Sequence, residues 1–149
     1  CVVEGLEKPG NLGASLRTCD AVGADCLLVC NGRTDIYNPN VIRSSLGCVF
    51  CLKVVQAANE SALKFLKEKK IELCAATSQA AALYTQADLR GPLAVILGSE
   101  QNGLSDFWIQ HADRKVKIPM KGLGDSLNVS TTAAIVLYEA LRQRAEGIK

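Results

Sequence analysis

The stretch Ile118-Pro-Met-Lys-Gly-Leu-Gly-Asp-Ser-Leu-Asn-Val-Ser130 begins as the apolar end of a strand and becomes a polar loop carrying Gly122 and Gly124. It runs directly into Val129-Ser-Thr-Thr-Ala-Ala-Ile-Val-Leu-Tyr-Glu-Ala-Leu141, whose apolar spacing is helical. The two glycines permit a tight turn or a close approach of backbone to a ligand. Asp125, Ser126 and Asn128 are each suited to cap the helix N-terminus. A loop that ends in a helix N-terminus offers unpaired N–H groups to a polar ligand. The C-terminal part of the chain therefore reads as a binding loop clamped by its helix.

Strands and helices alternate upstream of this loop. Cys1-Val-Val-Glu4 is a short apolar strand, and Pro9-Gly10 marks a turn before a helix over residues 12–22 that ends at Gly23. The run Asp25-Cys-Leu-Leu-Val-Cys30 is the continuous apolar pattern of a strand covered on both faces. Pro39 suits the first turn of a helix reaching Leu46, and residues 49–55 read as the next strand. A helix is expected over 60–69 with Leu63 and Leu66 inward, then strands over 71–75 and 92–97 and a helix over 104–110. Residues 77–84 are alanine-rich and their state is open. Val116 and Ile118 share one strand face, with Lys115 and Lys117 on the other. This alternation predicts a single α/β domain over residues 1–149, a mostly parallel sheet flanked by helices. No Gly-x-Gly-x-x-Gly follows the first strand and there is no Walker A lysine, so ordinary dinucleotide and P-loop sites are not expected.

Composition narrows the function classes. An apolar fraction of 48% over 149 residues supports one hydrophobic core and excludes a disordered chain. Rings make up 5% of residues, which argues against a sheet faced with stacking aromatics. The net charge of +2 is too small to identify a nucleic-acid partner, but Arg114, Lys115, Lys117 and Lys121 cluster beside the organising loop. They suit a phosphate backbone or a solvated strand edge equally. Seven cysteines is an odd number, and neither a secretory leader nor a disulfide framework is expected. Cys48 and Cys51 form a CxxC with no second pair to complete a zinc site. Cys26, Cys30, Cys51 and Cys74 read as small core residues, and no metal site is expected. No window is long and apolar enough to span a membrane, and a cytoplasmic chain is expected.

Two further stretches stand in order before the loop: Glu7-Lys-Pro-Gly-Asn-Leu-Gly-Ala-Ser-Leu-Arg-Thr18 and Leu93-Ala-Val-Ile-Leu-Gly-Ser-Glu-Gln-Asn-Gly-Leu-Ser105. Together the three stretches closely resemble the ordered motifs of the SpoU/TrmH family, RNA ribose 2′-O-methyltransferases. The resemblance covers essentially the whole chain. It implies a C-terminal trefoil knot that cradles S-adenosylmethionine, a homodimer formed through the knot region, and an RNA substrate. Ribosomal RNA is favoured over transfer RNA, because Asp35-Ile-Tyr-Asn-Pro-Asn-Val-Ile-Arg-Ser-Ser45 is similar to relatives acting on ribosomal RNA. Many relatives carry an additional N-terminal RNA-binding domain, and none is expected within these residues. Gln101 stands where many relatives have glycine, and Asp125 where glutamate is more usual.

Methylating a ribose hydroxyl requires an aligned methyl donor, engagement of the hydroxyl proton and exclusion of water. The resemblance assigns Arg17 to the 2′-hydroxyl. A guanidinium is far too basic to be neutral near pH 7, so a charged group orienting the hydroxyl and its phosphate is favoured over a base. A surface arginine on an amphipathic helix is the plain alternative. Asn11 reads as a helix N-cap, and by resemblance as a pocket residue. Glu100 follows a buried strand, where α/β folds place ligands, and is expected to fix Arg17 or a neighbouring loop. Ser126 and Asn128 match the family's Ser-Leu-Asn, with side chains toward the catalytic pocket. Thr77, Leu97, Gly98, Ile118, Met120, Ser126 and Leu127 are expected to hold the methyl donor, with Ile118, Met120 and Leu127 enclosing its adenine. His111 lies in an unrelated polar segment and reads as a surface residue at a helix end. Two other classes compete: a non-catalytic RNA-binding or assembly homologue, and a metabolite- or redox-linked α/β protein that uses its cysteines.

Overall fold

Leu27-Leu-Val-Cys30 is buried along its whole length, as its unbroken apolar run requires of a strand with helices on both faces. The computed structural model describes residues 1–146. In it this run is β2 of a seven-stranded sheet with β1 Val2–Glu4, β3 Val54–Ala57, β4 Glu72–Ala76, β5 Ala82–Leu83, β6 Leu93–Leu97 and β7 Arg114–Lys117. The spatial order is β3-β2-β1-β6-β4-β7-β5. Every pairing is parallel, with Val2 opposite Leu28 on one side and Ile96 on the other. Helices α1 Pro9–Ala21, α2 Pro39–Ser44, α3 Asn59–Glu68 and α4 Asp106–His111 lie in the connections between strands, and α5 Val129–Glu146 follows the last strand.

Successive strand residues face opposite ways, so β1 feeds two cores. Val3 joins Leu12, Leu16, Val95, Leu97 and Val136 under α1 and α5. Val2 joins Leu28, Leu66, Leu73, Ile96 and Trp108 under α3 and α4. The chain builds β1, β2 and β3 outward in one direction and the remaining strands in the other. The reversal lies beside β1 and β6, the position at which open parallel sheets form a crevice at their C-terminal ends.

Several expectations are corrected. Helix α1 begins at Pro9, so Asn11 lies inside its first turn and Lys8 occupies the cap position. Residues 49–55 do not form one strand. A 3-10 turn, Cys48–Phe50, follows Gly47 in its left-handed conformation, and only Val54–Ala57 reaches register with Leu27–Cys30. Cys51 consequently lies exposed, and Cys26 is half-buried, while Cys30 and Cys74 are core residues as read. Strand β7 is no edge, since β4 and β5 pair with its two sides, and Arg114 is ion-paired with Glu72. The open segment after Thr77 contributes β5. The inner face of α5 is Ala133, Val136 and Ala140, which leaves Tyr138 and Leu141 exposed. Neither Gly122 nor Gly124 has the left-handed backbone of a glycine turn, and both stand in open space. Among the described residues no helix is long and apolar enough to cross a membrane.

Candidate active site

The C-terminal ends of β4, β6 and β7 open into a cleft of about 570 Å³, within the usual range of small-molecule sites. Three segments wall it: residues 76–79, the loop after β6, and the organising loop running into α5. All seven residues expected to hold the methyl donor line this cleft: Thr77, Leu97, Gly98, Ile118, Met120, Ser126 and Leu127. Ile118 and Leu127 are half-buried apolar walls, and Met120 stands at the margin of exposure. The backbone N–H of Thr77 donates to the carbonyl of Val116 at 2.9 Å, which fixes the residue after β4 against β7.

The loop after β6 turns back on itself directly above its strand. Gly103 N–H donates to the Ser99 carbonyl at 2.9 Å, and Asn102 N–H to Ser99 Oγ at 3.3 Å. A Cβ on Gly98 would lie 2.0 Å from Gly103 C and 2.3 Å from Leu104 N. Glycine is therefore required at position 98 for the approach of the loop's own backbone. The left-handed residue of this turn is Gly103, and Gln101 is not among the positive-φ residues, so glutamine is accommodated where many relatives have glycine.

At the rim, one hydrogen-bonded chain joins the three motifs. Asn11 Nδ2 donates to Glu100 Oε1. Asn128 Nδ2 donates to Asn11 Oδ1 at 3.0 Å. Asn128 Oδ1 in turn accepts from the backbone N–H of Ser130 at 2.9 Å and from its hydroxyl at 2.6 Å. Asn128 thus caps α5 with one end of its amide and holds α1 with the other. Of the capping candidates Asp125, Ser126 and Asn128, it is Asn128 that accepts from the helix backbone. Glu100 and Ser126 line the cleft, whereas Asn11 and Asn128 are not among its lining residues. Arg17 is exposed on α1 beside Cys48 and, among the described residues, makes no hydrogen bond to Glu100. Of the partners expected for Glu100, Arg17 or a neighbouring loop, Arg17 is not the one bonded; Asn11 is, because it sits in the first turn of α1, facing the loop after β6.

A second polar network joins β1 to α3 and α4. Glu4, buried at the end of β1, accepts from Asn59 Nδ2 at 2.6 Å, Ser105 N–H at 2.9 Å and Ser105 Oγ at 2.7 Å. Asn59 Oδ1 accepts from Trp108 Nε1 at 3.0 Å. These bonds tie the far end of the β6 loop to the central strand. No local signal in the sequence pairs Glu4 with residues so distant along the chain.

The cysteines are all free thiols. Burial pushes Cys30 up to about 12 and Cys74 up to about 11. Desolvation, then the Asp20 carboxylate, raises the Cys48 thiol as well. Such thiols carry little thiolate near neutral pH, which leaves Cys48 without the activation a redox thiol needs. Among the described residues no group of three or more His, Cys, Asp or Glu side chains is gathered to hold a metal. His111 ends α4, exposed, with Nδ1 2.7 Å from the Phe107 carbonyl.

Comparison with known proteins agrees with this geometry. The chain is 35% identical over 144 residues to the 23S rRNA (guanosine-2′-O-)-methyltransferase RlmB of Pseudomonas putida, covering 96% of this chain and 58% of the relative. A crystal structure of an RNA 2′-O ribose methyltransferase superposes with a TM-score of 0.90 at 50% identity, covering 97% of this chain and 56% of that one. The SpoU methyltransferase AviRb from Streptomyces viridochromogenes, in complex with AdoMet, superposes with a TM-score of 0.93 at 32% identity, covering 98% and 60%. The chain thus spans somewhat more than half the length of these relatives. Residues 1–138 match the SpoU rRNA Methylase family, and the chain belongs to that family.

Proposed function

We propose that this chain transfers the methyl group of S-adenosylmethionine to a ribose 2′-hydroxyl of RNA, with ribosomal RNA ahead of transfer RNA. The observation that carries this reading is the cleft itself. Its walls are the residues expected to hold a methyl donor, and from Glu100 in its lining runs the Glu100–Asn11–Asn128 chain. The similarity to RlmB and to the AdoMet complex of AviRb supports the donor and the ribosomal substrate. The residues present fit the donor: Ile118, Met120 and Leu127 offer apolar contact to a heterocycle, while Thr77 and Ser126 offer polar groups. The sulfonium supplies an already activated methyl group, so the protein's contribution is chiefly position.

Arg17 meets the RNA in this reading. Its charged guanidinium orients the acceptor hydroxyl and the neighbouring phosphate. Asn11 spans Glu100 and Asn128 and holds α1 in register with the cleft rim. Ser126 lies in the cleft wall, placed to face the acceptor side. The segments following the second and third motifs thread one another in a C-terminal trefoil knot. A homodimer forms through the knot region, with Tyr138 and Leu141 on the outer face of α5 available to it. The setting is cytoplasmic.

The test is titration calorimetry with S-adenosylmethionine on the parent chain and Arg17→Ala, followed by methyl transfer to ribosomal and transfer RNA transcripts. Saturable donor binding by both proteins is expected, with transfer lost in Arg17→Ala. Absence of donor binding by the folded parent would overturn the enzyme. Donor binding and RNA binding without transfer would turn the reading to a non-catalytic RNA-binding homologue.

A further inference from the structure

Three apolar side chains, one just before α2 and two after it, project into solvent between β2 and β3 of the chain. Tyr37 is 58% exposed, Leu46 73% and Phe50 67%. The chain has three tyrosines and three phenylalanines, and one of each stands here, away from the core. The two rings are stacked, with centroids 6.3 Å apart and planes within 21°. The Tyr37 backbone N–H is held by the Asp35 carboxylate at 2.9 Å, and Phe50 sits on the 3-10 turn.

Leu46 adds an independent observation. It follows α2 with φ 52, a left-handed conformation that a leucine adopts only against its preference. Leu46 N–H bonds the Arg43 carbonyl at 3.2 Å and Gly47 N–H the Ile42 carbonyl at 3.1 Å, a Schellman motif. Glycine is the usual residue at that position and would serve the turn without strain. The fold does not need a leucine there.

The segment that bears the ledge packs against α1, the helix that carries Asn11. Helix α2 lies so close to α1 that a Cβ on Gly13 would be 1.9 Å from Ser44 Oγ. Gly13 is two residues beyond Asn11 on the same helix. Charge also selects the partner. Between Arg33 and Lys53 the chain has three cations and the single carboxylate Asp35. Arg33 is paired with Glu7 at 2.6 Å, while Arg43 and Lys53 are exposed and, among the described residues, in no ion pair. A second copy docked isologously by this face would bring like cations together.

We infer that Tyr37, Leu46 and Phe50 form a ledge that stacks an unpaired nucleobase of RNA, with Arg43 and Lys53 meeting its phosphates. Unstacked bases on aromatic faces beside cations are the usual chemistry of single-stranded RNA recognition. The ledge would hold a nucleotide neighbouring the one presented to the cleft. This inference rests on RNA being the substrate.

The experiment titrates a fluorescein-labelled single-stranded RNA of mixed sequence, and its duplex, into the full chain by fluorescence anisotropy. The variants are Tyr37→Ala, Phe50→Ala and Leu46→Gly, each also followed by thermal melting, sedimentation velocity and S-adenosylmethionine titration. Each ring deletion is expected to weaken single-strand binding about tenfold, with duplex and donor binding unchanged. Leu46→Gly is expected to weaken RNA binding while keeping or raising the melting temperature, which separates the effect from misfolding. Single-strand binding equal to the parent in all three variants would overturn the ledge. So would RNA loss that accompanies conversion of a dimer to monomers, which would make this face a contact between copies. A parent chain that binds no RNA would instead remove the proposed function, and the ledge with it.

Discussion

Asn128 Nδ2 donates to Asn11 Oδ1 at 3.0 Å, across 117 residues of chain, while Asn11 Nδ2 donates to Glu100. One amide therefore bridges the first and third motifs and reaches the second. Because Asn11 uses both its donor and its acceptor, no other residue of similar size reproduces the arrangement. Asn11→Asp would set a carboxylate against Glu100, and like charges at contact repel. Methyl transfer should fall at least about tenfold in Asn11→Asp, with a stability loss of about 1 kcal/mol for exposed bonds. Single-turnover methylation and urea unfolding of the same preparations would check both parts.

Gly98→Ala tests the loop over the cleft. The new methyl would meet Gly103 and Leu104 backbone, which cannot rotate away as a side chain can. A loss of about 1–3 kcal/mol is expected, the usual cost of overpacking, together with weakened S-adenosylmethionine binding. Calorimetry beside urea unfolding would measure it, and an unchanged donor affinity would show that the turn is not what shapes the cleft.

Glu4→Ala should be among the more damaging single changes. It would leave Asn59 Nδ2 and the Ser105 N–H without their acceptor in a buried setting. A buried donor left without its acceptor costs about 1–3 kcal/mol, so a loss of about 3 kcal/mol is expected. Hydrogen exchange should locate the disturbance at residues 98–105 and α4, the segment that these bonds tie to β1.

Glu139 predicts an acid dependence. It accepts two bonds from Arg142 and one from Gln143, and these hold its carboxyl down at about 2 from the ordinary 4.5. A depressed folded-state value means stability that is present above 4.5 and lost as pH falls toward 2. In urea unfolding, the gap between the parent and Glu139→Gln should be steady from about pH 7 to 5 and close on further acidification. A gap that widens in acid would show that the carboxylate is not stabilised in the folded state.

Much of the site was legible from residues alone because its parts are local. Gly98 after a buried strand, Ser126 before a helix and Asn128 at its first turn are short-range patterns of turn and cap. The parallel sheet was likewise legible, since Leu27–Cys30 and Leu93–Leu97 are continuous apolar runs that only a doubly covered strand can use. Boundaries were less legible. Pro9 opened α1 early, and a 3-10 turn took the start of what read as a strand at Val49.

What the sequence by itself determined was the alternation of elements, the family motifs and the residue types that line the cleft. Only the tertiary structure decided that Asn11 rather than Arg17 holds Glu100, that Glu4 anchors Ser105, and that Tyr37 stacks on Phe50. The reason is physical. Periodicity and caps are set by neighbours within a turn or two. Hydrogen bonds between distant side chains depend on how parallel strands bring their C-terminal ends together, and sequence spacing carries no record of that distance.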